Sequence, residues 1–166
     1  MLQMRMRRAR SEARRLLHWS GVRKPEHIDI EAIAHSCGAD IVIGKLDGSL
    51  ARVFRIGTKA RIRVSDRIVN LGARRFAIAH ELGHLVLGHD IPTEGDVSRF
   101  LARVCARKRG DEDPEPEANV FAAESLMPEQ HVRARCEVSP VSLDPVRAIA
   151  AEFNTSVVAS AVRFAE

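Results

Sequence analysis

His80, Glu81 and His84 stand in the run His-Glu-Leu-Gly-His, and the chemistry open to that spacing is metal-assisted hydrolysis. Residues four apart stack on one face of a helix, so two neutral imidazoles one turn apart can share a divalent ion with the glutamate beside them. Zinc suits these donors. It accepts imidazole nitrogens and a carboxylate in a tetrahedron and leaves a position for water, which becomes acidic enough for Glu81 to deprotonate as general base. Manganese, iron or cobalt can occupy the same ligands. A purely structural role would set three polar side chains among alanine, leucine and valine, at a desolvation cost that such a role does not easily offset.

A third ligand is required, and spacing sorts the candidates. The metzincin pattern asks for glycine three and histidine six residues beyond the second histidine, where this chain has Leu87 and Asp90. His89 is out of phase with that pattern and reads as a solvated residue just past the helix end. The other common solution is a glutamate on a later helix, with an acid or amide four residues on that orients a ligating histidine. Glu115 and Asn119 have this spacing. Glu117, two residues from Glu115, falls on nearly the opposite side of a helix and cannot share the ion with it.

The elements that must position these residues follow from periodicity. A first helix is read from near Ser11, and a short second one from Asp29 to Cys37, with Asp29 as its cap and Gly38 as its stop. Ala39 to Ile43, Leu50 to Ile56 and Ala60 to Val64 read as strands, separated by Asp47-Gly48 and Gly57-Thr58 turns. After Asn70 the period changes, and Phe76 to Leu87 carries apolar residues nearly all round a helix that ends at Gly88. Further helices are read at Val97 to Lys108, at Glu117 to Leu126 with Pro116 in first position, at Leu143 to Glu152 and at Val157 to Ala165. The expected architecture is α+β: a small, mostly antiparallel three-stranded sheet packed on a central HExxH helix within a helical bundle. Residues 1–166 read as a single domain, with 143–166 a helical tail of helix-turn-helix character packed on it.

The runs RFAIAHELGHLVLGH and, from Glu115 to Pro128, EPEANVFAAESLMP closely resemble the ImmA/IrrE family of metallopeptidases, in which an HExxH helix precedes an E-x-E-A-N/D-x-F-A-x-x-L-L-M-P helix. The resemblance carries over His80 and His84 as metal ligands, Glu81 as catalytic base and Glu115 as third ligand, with Asn119 as orienting partner. Pro116 departs from the pattern and sets Glu115 at a helix start, which leaves a second assignment open: Glu115 caps the helix and Glu117 ligates. Ser125 replaces the usual leucine and is read as facing outward. The resemblance implies a zincin-like metallopeptidase domain over residues 1–166, and an intracellular peptidase that cuts, or promotes cutting of, a helix-turn-helix repressor and so induces genes in response to a signal. The chain has no tyrosine, so an oxyanion-stabilising phenol is excluded; His131, His89 or Arg133 are the candidates for that role, or the metal acts alone.

At 166 residues with 45% hydrophobic and 29% charged residues, the chain is long enough for a packed core without staples, and disordered or fibrous classes are excluded. No stretch approaches the length of a membrane helix and the basic start lacks the apolar run of a secretory signal, so the cytoplasm is the expected location. Three widely spaced cysteines, Cys37, Cys105 and Cys136, read as reduced, mostly buried thiols. The first 24 residues hold seven arginines and Lys24 against the single acid Glu12. That run reads as a solvated helix face, with attraction to nucleic acid as the alternative. Two functions compete: a non-hydrolytic module whose metal-bearing surface holds a partner protein without cutting it, and a DNA-reading tail, whose second helix has Arg163 as its only cation, too few for a recognition helix.

Overall fold

A computed structural model of the chain describes residues 2–96, 113–136 and 143–165. Helix α1 (Leu2–Trp19) buries Ala9, Ala13 and Leu17, spaced four apart on one face. Two alanines on that face let α1 lie close against a later helix. It begins well before Ser11, because the arginines that flank this face have partners across the fold. Arg5 pairs with Glu117, Arg8 donates to the Leu87 carbonyl at 3.0 Å, and Arg14 pairs with Glu124 and Glu129 at 2.7 Å each. The arginine run is therefore in good part a set of tertiary clamps and not a simply solvated face.

Helix α2 (Ile30–Ser36) is capped as expected, with Asp29 accepting from the Glu31 and Ala32 amides, and Gly38 at φ +78° turns the chain into the sheet. The strands are β1 (Ala39–Gly44), β2 (Ala51–Ile56) and β3 (Lys59–Ser65), in the order β1-β3-β2. β2 and β3 form an antiparallel hairpin with Val53 opposite Ile62, whereas β1 runs parallel to β3 with Ile41 opposite Ile62. The sheet is thus mixed, where a mostly antiparallel one was expected. β3 takes the centre because it buries Ala60, Ile62 and Val64, while β1 leaves Val42 and Ile43 exposed and so suits an edge. The Gly38 turn delivers the start of β1 beside Ala60, whose amide donates to the Gly38 carbonyl at 3.0 Å, and that fixes the parallel direction.

Helix α3 (Leu71–Val86) starts at Asn70, whose side chain accepts from the Ala73 amide at 2.8 Å. It packs on the sheet and against α4 (Glu115–Leu126), which buries Ala118, Phe121, Ala122 and Leu126. Gly83 sets that spacing: a Cβ there would lie 3.0 Å from the Phe121 ring and 3.3 Å from the Ala118 Cα. Pro116 is tolerated in the first turn of α4, where its missing N–H leaves no bond unmade. Ser125 is fully buried in the structure, the reverse of the outward orientation expected for it.

Three short helices complete the described chain. α5 (Glu129–Cys136) follows directly on Pro128 and has no counterpart in the periodicity reading. α6 (Asp144–Glu152) and α7 (Val157–Ala165) match expectation and are joined through Asn154 at φ +50°. Ile149 and Phe153 enter the core, and Arg163 forms a buried ion pair with Glu124 of α4. The helix expected over Val97 to Lys108 lies outside the described residues, as does Cys105; Cys37 is a free, half-buried thiol. No helix among the described residues is long and apolar enough to cross a membrane.

Candidate metal centre

His80 and His84 lie one turn apart on α3, facing the start of α4. His80 Nε2 is 3.0 Å from His84 Nε2 and 3.1 Å from Glu115 Oε2, and His84 Nε2 is 3.5 Å from Glu115 Oε1. Two imidazole lone pairs at 3.0 Å repel unless a proton or cation lies between them. Ligand atoms about 2.0–2.1 Å from one tetrahedral ion lie about 3.3 Å apart, so these separations fit a shared divalent metal. Among the described residues this is the cluster of three His, Cys, Asp or Glu side chains that can converge on one ion.

The two candidate ligand histidines are held from behind. Asn119, one turn along α4 from Glu115, has its Oδ1 2.9 Å from His80 Nδ1, and an amide oxygen only accepts, so the ring proton sits on Nδ1 and the Nε2 lone pair faces the site. His89 plays the corresponding part for His84, with the two Nδ1 atoms 3.0 Å apart. Its side chain is only 10% exposed, not solvated as read from the sequence. The signal that could have found it was present: Gly88 at φ +73° closes a Schellman turn, with the His89 amide donating to the His84 carbonyl at 3.0 Å, and this swings residue 89 back beneath His84.

Electrostatics separates the members. Burial lowers the basicity of His80, but the hydrogen bond its protonated ring donates to Glu115 and the charges of Glu81 and Glu115 outweigh it and leave its pKa raised. Burial and the neighbouring His80 push His84 down to about 4. The His80 hydrogen bond holds Glu115 below the ordinary carboxylate range against partial burial. Glu81 is raised by burial, only partly relieved by the His80 charge and by the Val53 amide, which donates to Oε2 at 2.7 Å. A carboxyl raised toward neutrality is suited to a general base.

Glu117 is not near the ion position. It is buried against Arg5, with Oε1 3.8 Å from His89 Nε2. His131 and Arg133 line a separate cavity with Arg14, His18 and Glu129, and the structure does not bring them to the metal centre. The cleft that does contain His80, Glu81, Glu115 and Asn119 has a volume of about 680 Å³ and an apolar wall of Leu50, Phe76, Val158 and Val162. Part of that wall comes from α7, whose polarity is inverted: Ser160 and Arg163 are buried while Val158 and Val162 are exposed.

A mixed three-stranded sheet over a helix with paired histidines, and a second helix that adds a carboxylate, define an α+β metallohydrolase-like domain. The chain belongs to the family described as Peptidase_M78, the IrrE N-terminal-like domain, whose model matches residues 35–165. It is therefore a member of a metallopeptidase family with the donors for a divalent metal. Among solved structures, a Mycobacterium tuberculosis transcriptional regulator is similar in fold, with a TM-score of 0.64 at 21% identity over 95% of this chain and 46% of the other. The chain thus spans about half the length of that structure. No curated protein sequence matches it.

Proposed function

We propose that the chain is a zinc-dependent peptidase of the HExxH type, with His80, His84 and Glu115 as ligands and Glu81 as general base. The observation that carries this reading is the convergence of two Nε2 atoms and a carboxylate within 3.0–3.5 Å, each histidine bonded from behind. When bound, the ion supplies Lewis acidity to a water and to the scissile carbonyl. Glu81 takes the water's proton on its carboxylate and passes it to the departing amine. Asn119 keeps His80 in the ligating tautomer.

The substrate we assign is a protein, a helix-turn-helix repressor in line with what the family resemblance implies, cut in the cytoplasm to induce genes under stress. Residues 1–166 act as one metallopeptidase unit in which the 143–166 tail supplies a wall of the cleft. The competing DNA-binding reading loses support here, since Arg163 is buried on Glu124 and Arg5, Arg8 and Arg14 are engaged within the fold.

Metal analysis of the purified protein, combined with digestion of a small repressor encoded beside it, tests the proposal. The parent contains zinc and cleaves; Glu81→Gln keeps zinc and loses cleavage; His80→Ala, His84→Ala and Glu115→Ala lose both. Equal cleavage by Glu81→Gln and the parent overturns the assigned base, and full zinc retention in the three ligand variants overturns the site.

A further inference from the structure

The geometry points to His89 as a positioning residue for His84, held by Glu117 and through it by Arg5 of the first helix, so that α1 helps set the metal centre from outside the family-matched segment. This inference rests on the metal-site reading above. For His84 Nε2 to offer its lone pair to an ion, the ring proton must be on Nδ1. His84 Nδ1 then donates to His89 Nδ1 across 3.0 Å. His89 Nδ1 must accept, which places the His89 proton on Nε2.

The surroundings of His89 Nε2 favour that tautomer. This nitrogen is buried and has no hydrogen-bond partner among the described residues, but it faces Glu117 Oε1 at 3.8 Å. A buried carboxylate there attracts an N–H and repels a lone pair. Glu117 has only 4% side-chain exposure, and Arg5 supplies its counter-charge while also donating to the Asp113 carbonyl at 3.0 Å, two residues before Glu115. The nearby Arg8 bond to the Leu87 carbonyl ties α1 to the same Gly88 turn that carries His89. Arg5, Glu117, His89 and His84 therefore form one polar path. Asn119 does for His80 with a fixed amide what this path does for His84 with a histidine whose tautomer must itself be set.

Zinc affinity of the full chain, measured by competition with a chromogenic chelator, tests the assignment. His89→Ala is expected to weaken zinc binding about 10–100-fold, the usual effect of removing an outer partner of a ligand. His89→Asn, whose amide oxygen falls near the position of Nδ1, should restore most of the loss, and Arg5→Met should fall between parent and His89→Ala. Because His89→Ala could also loosen the fold, nitrogen-15 spectra of the zinc-loaded parent give a second readout: His84 protonated at Nδ1 and His89 at Nε2. Parent-like affinity in His89→Ala, no rescue by asparagine, or the opposite His89 tautomer overturns the inference. Failure of the underlying site is distinguishable, because His84→Ala would then keep zinc.

Discussion

The Val53 amide on β2 donates to Glu81 Oε2 at 2.7 Å, so an edge strand of the sheet holds one oxygen of the proposed general base on the neighbouring helix. This bond links the two layers of the fold at the point where chemistry is assigned. Glu81 is half-buried, and burial is the main reason its carboxyl is raised.

Glu81→Gln should reduce cleavage by about 10²–10⁴-fold, the usual contribution of a general base, while zinc content stays at the parent level. It should also stabilise the metal-free protein at neutral pH. A carboxyl raised on folding binds its proton more tightly in the native state, so ionising it costs stability above the native pKa and nothing below the unfolded pKa. Glutamine removes that cost and can still accept from Val53. Thermal melts across pH check this: the gain should be present near pH 7 and vanish below about pH 4, where the unfolded glutamate is itself protonated. A variant less stable than the parent at neutral pH would contradict it.

Metal uptake should take its proton from His80 and not from His84. His80 is raised, while His84 stays neutral down to about pH 4, and Glu115 is ionised throughout the working range because His80 holds it low. Zinc affinity should therefore fall as pH drops through the raised His80 value, with one proton released per ion in the window where the unliganded ring is charged. Calorimetric titration in buffers of different ionisation enthalpy counts that proton. Release of two protons near pH 6 would mean that His84 also titrates there.

The helix with paired histidines was legible because its chemistry is local: spacing alone puts His80 and His84 on one face, and Asn70 and Gly88 mark the ends. Asp29 and Gly38 bounded α2 for the same reason. What local pattern does not carry is pairing across the chain. Nothing within β1 says that it joins β3 in parallel, since that depends on where the Gly38 turn delivers it. The arginines of α1 looked solvated because Glu117 and Glu124, their partners, lie more than a hundred residues away. His131 is an oxyanion candidate by residue type, and the turn into α5 carries it to another cavity.

Val158→Asp should impair cleavage of a protein substrate with little effect on zinc or on stability. Val158 is 75% exposed and lines the same cleft as His80 and Glu81, so a charge there costs the folded protein little but meets any apolar side chain seated beside the scissile bond. The effect should appear mainly in KM, since the residue is remote from the reacting atoms. Unchanged cleavage of the repressor would mean that the valine wall is not used by the substrate.

Glu124→Gln should destabilise the protein by about 3–5 kcal/mol, because it leaves a buried guanidinium without its counter-charge. Glu124 is 1% exposed and pairs with Arg163, and it also accepts from Arg14 at 2.7 Å. Arg163→Met should cost less, since Glu124 keeps Arg14 and methionine fills similar space, and the double variant should recover part of the Glu124→Gln loss. The pattern separates a needed ion pair from a merely tolerated one, and chemical denaturation of the three variants measures it. The same pair keeps the polar side of α7 inward and its valines toward the cleft. Glu124→Gln should therefore also raise KM for the protein substrate at temperatures where the variant is still folded, whereas a loss of stability with KM unchanged would detach the ion pair from the cleft wall.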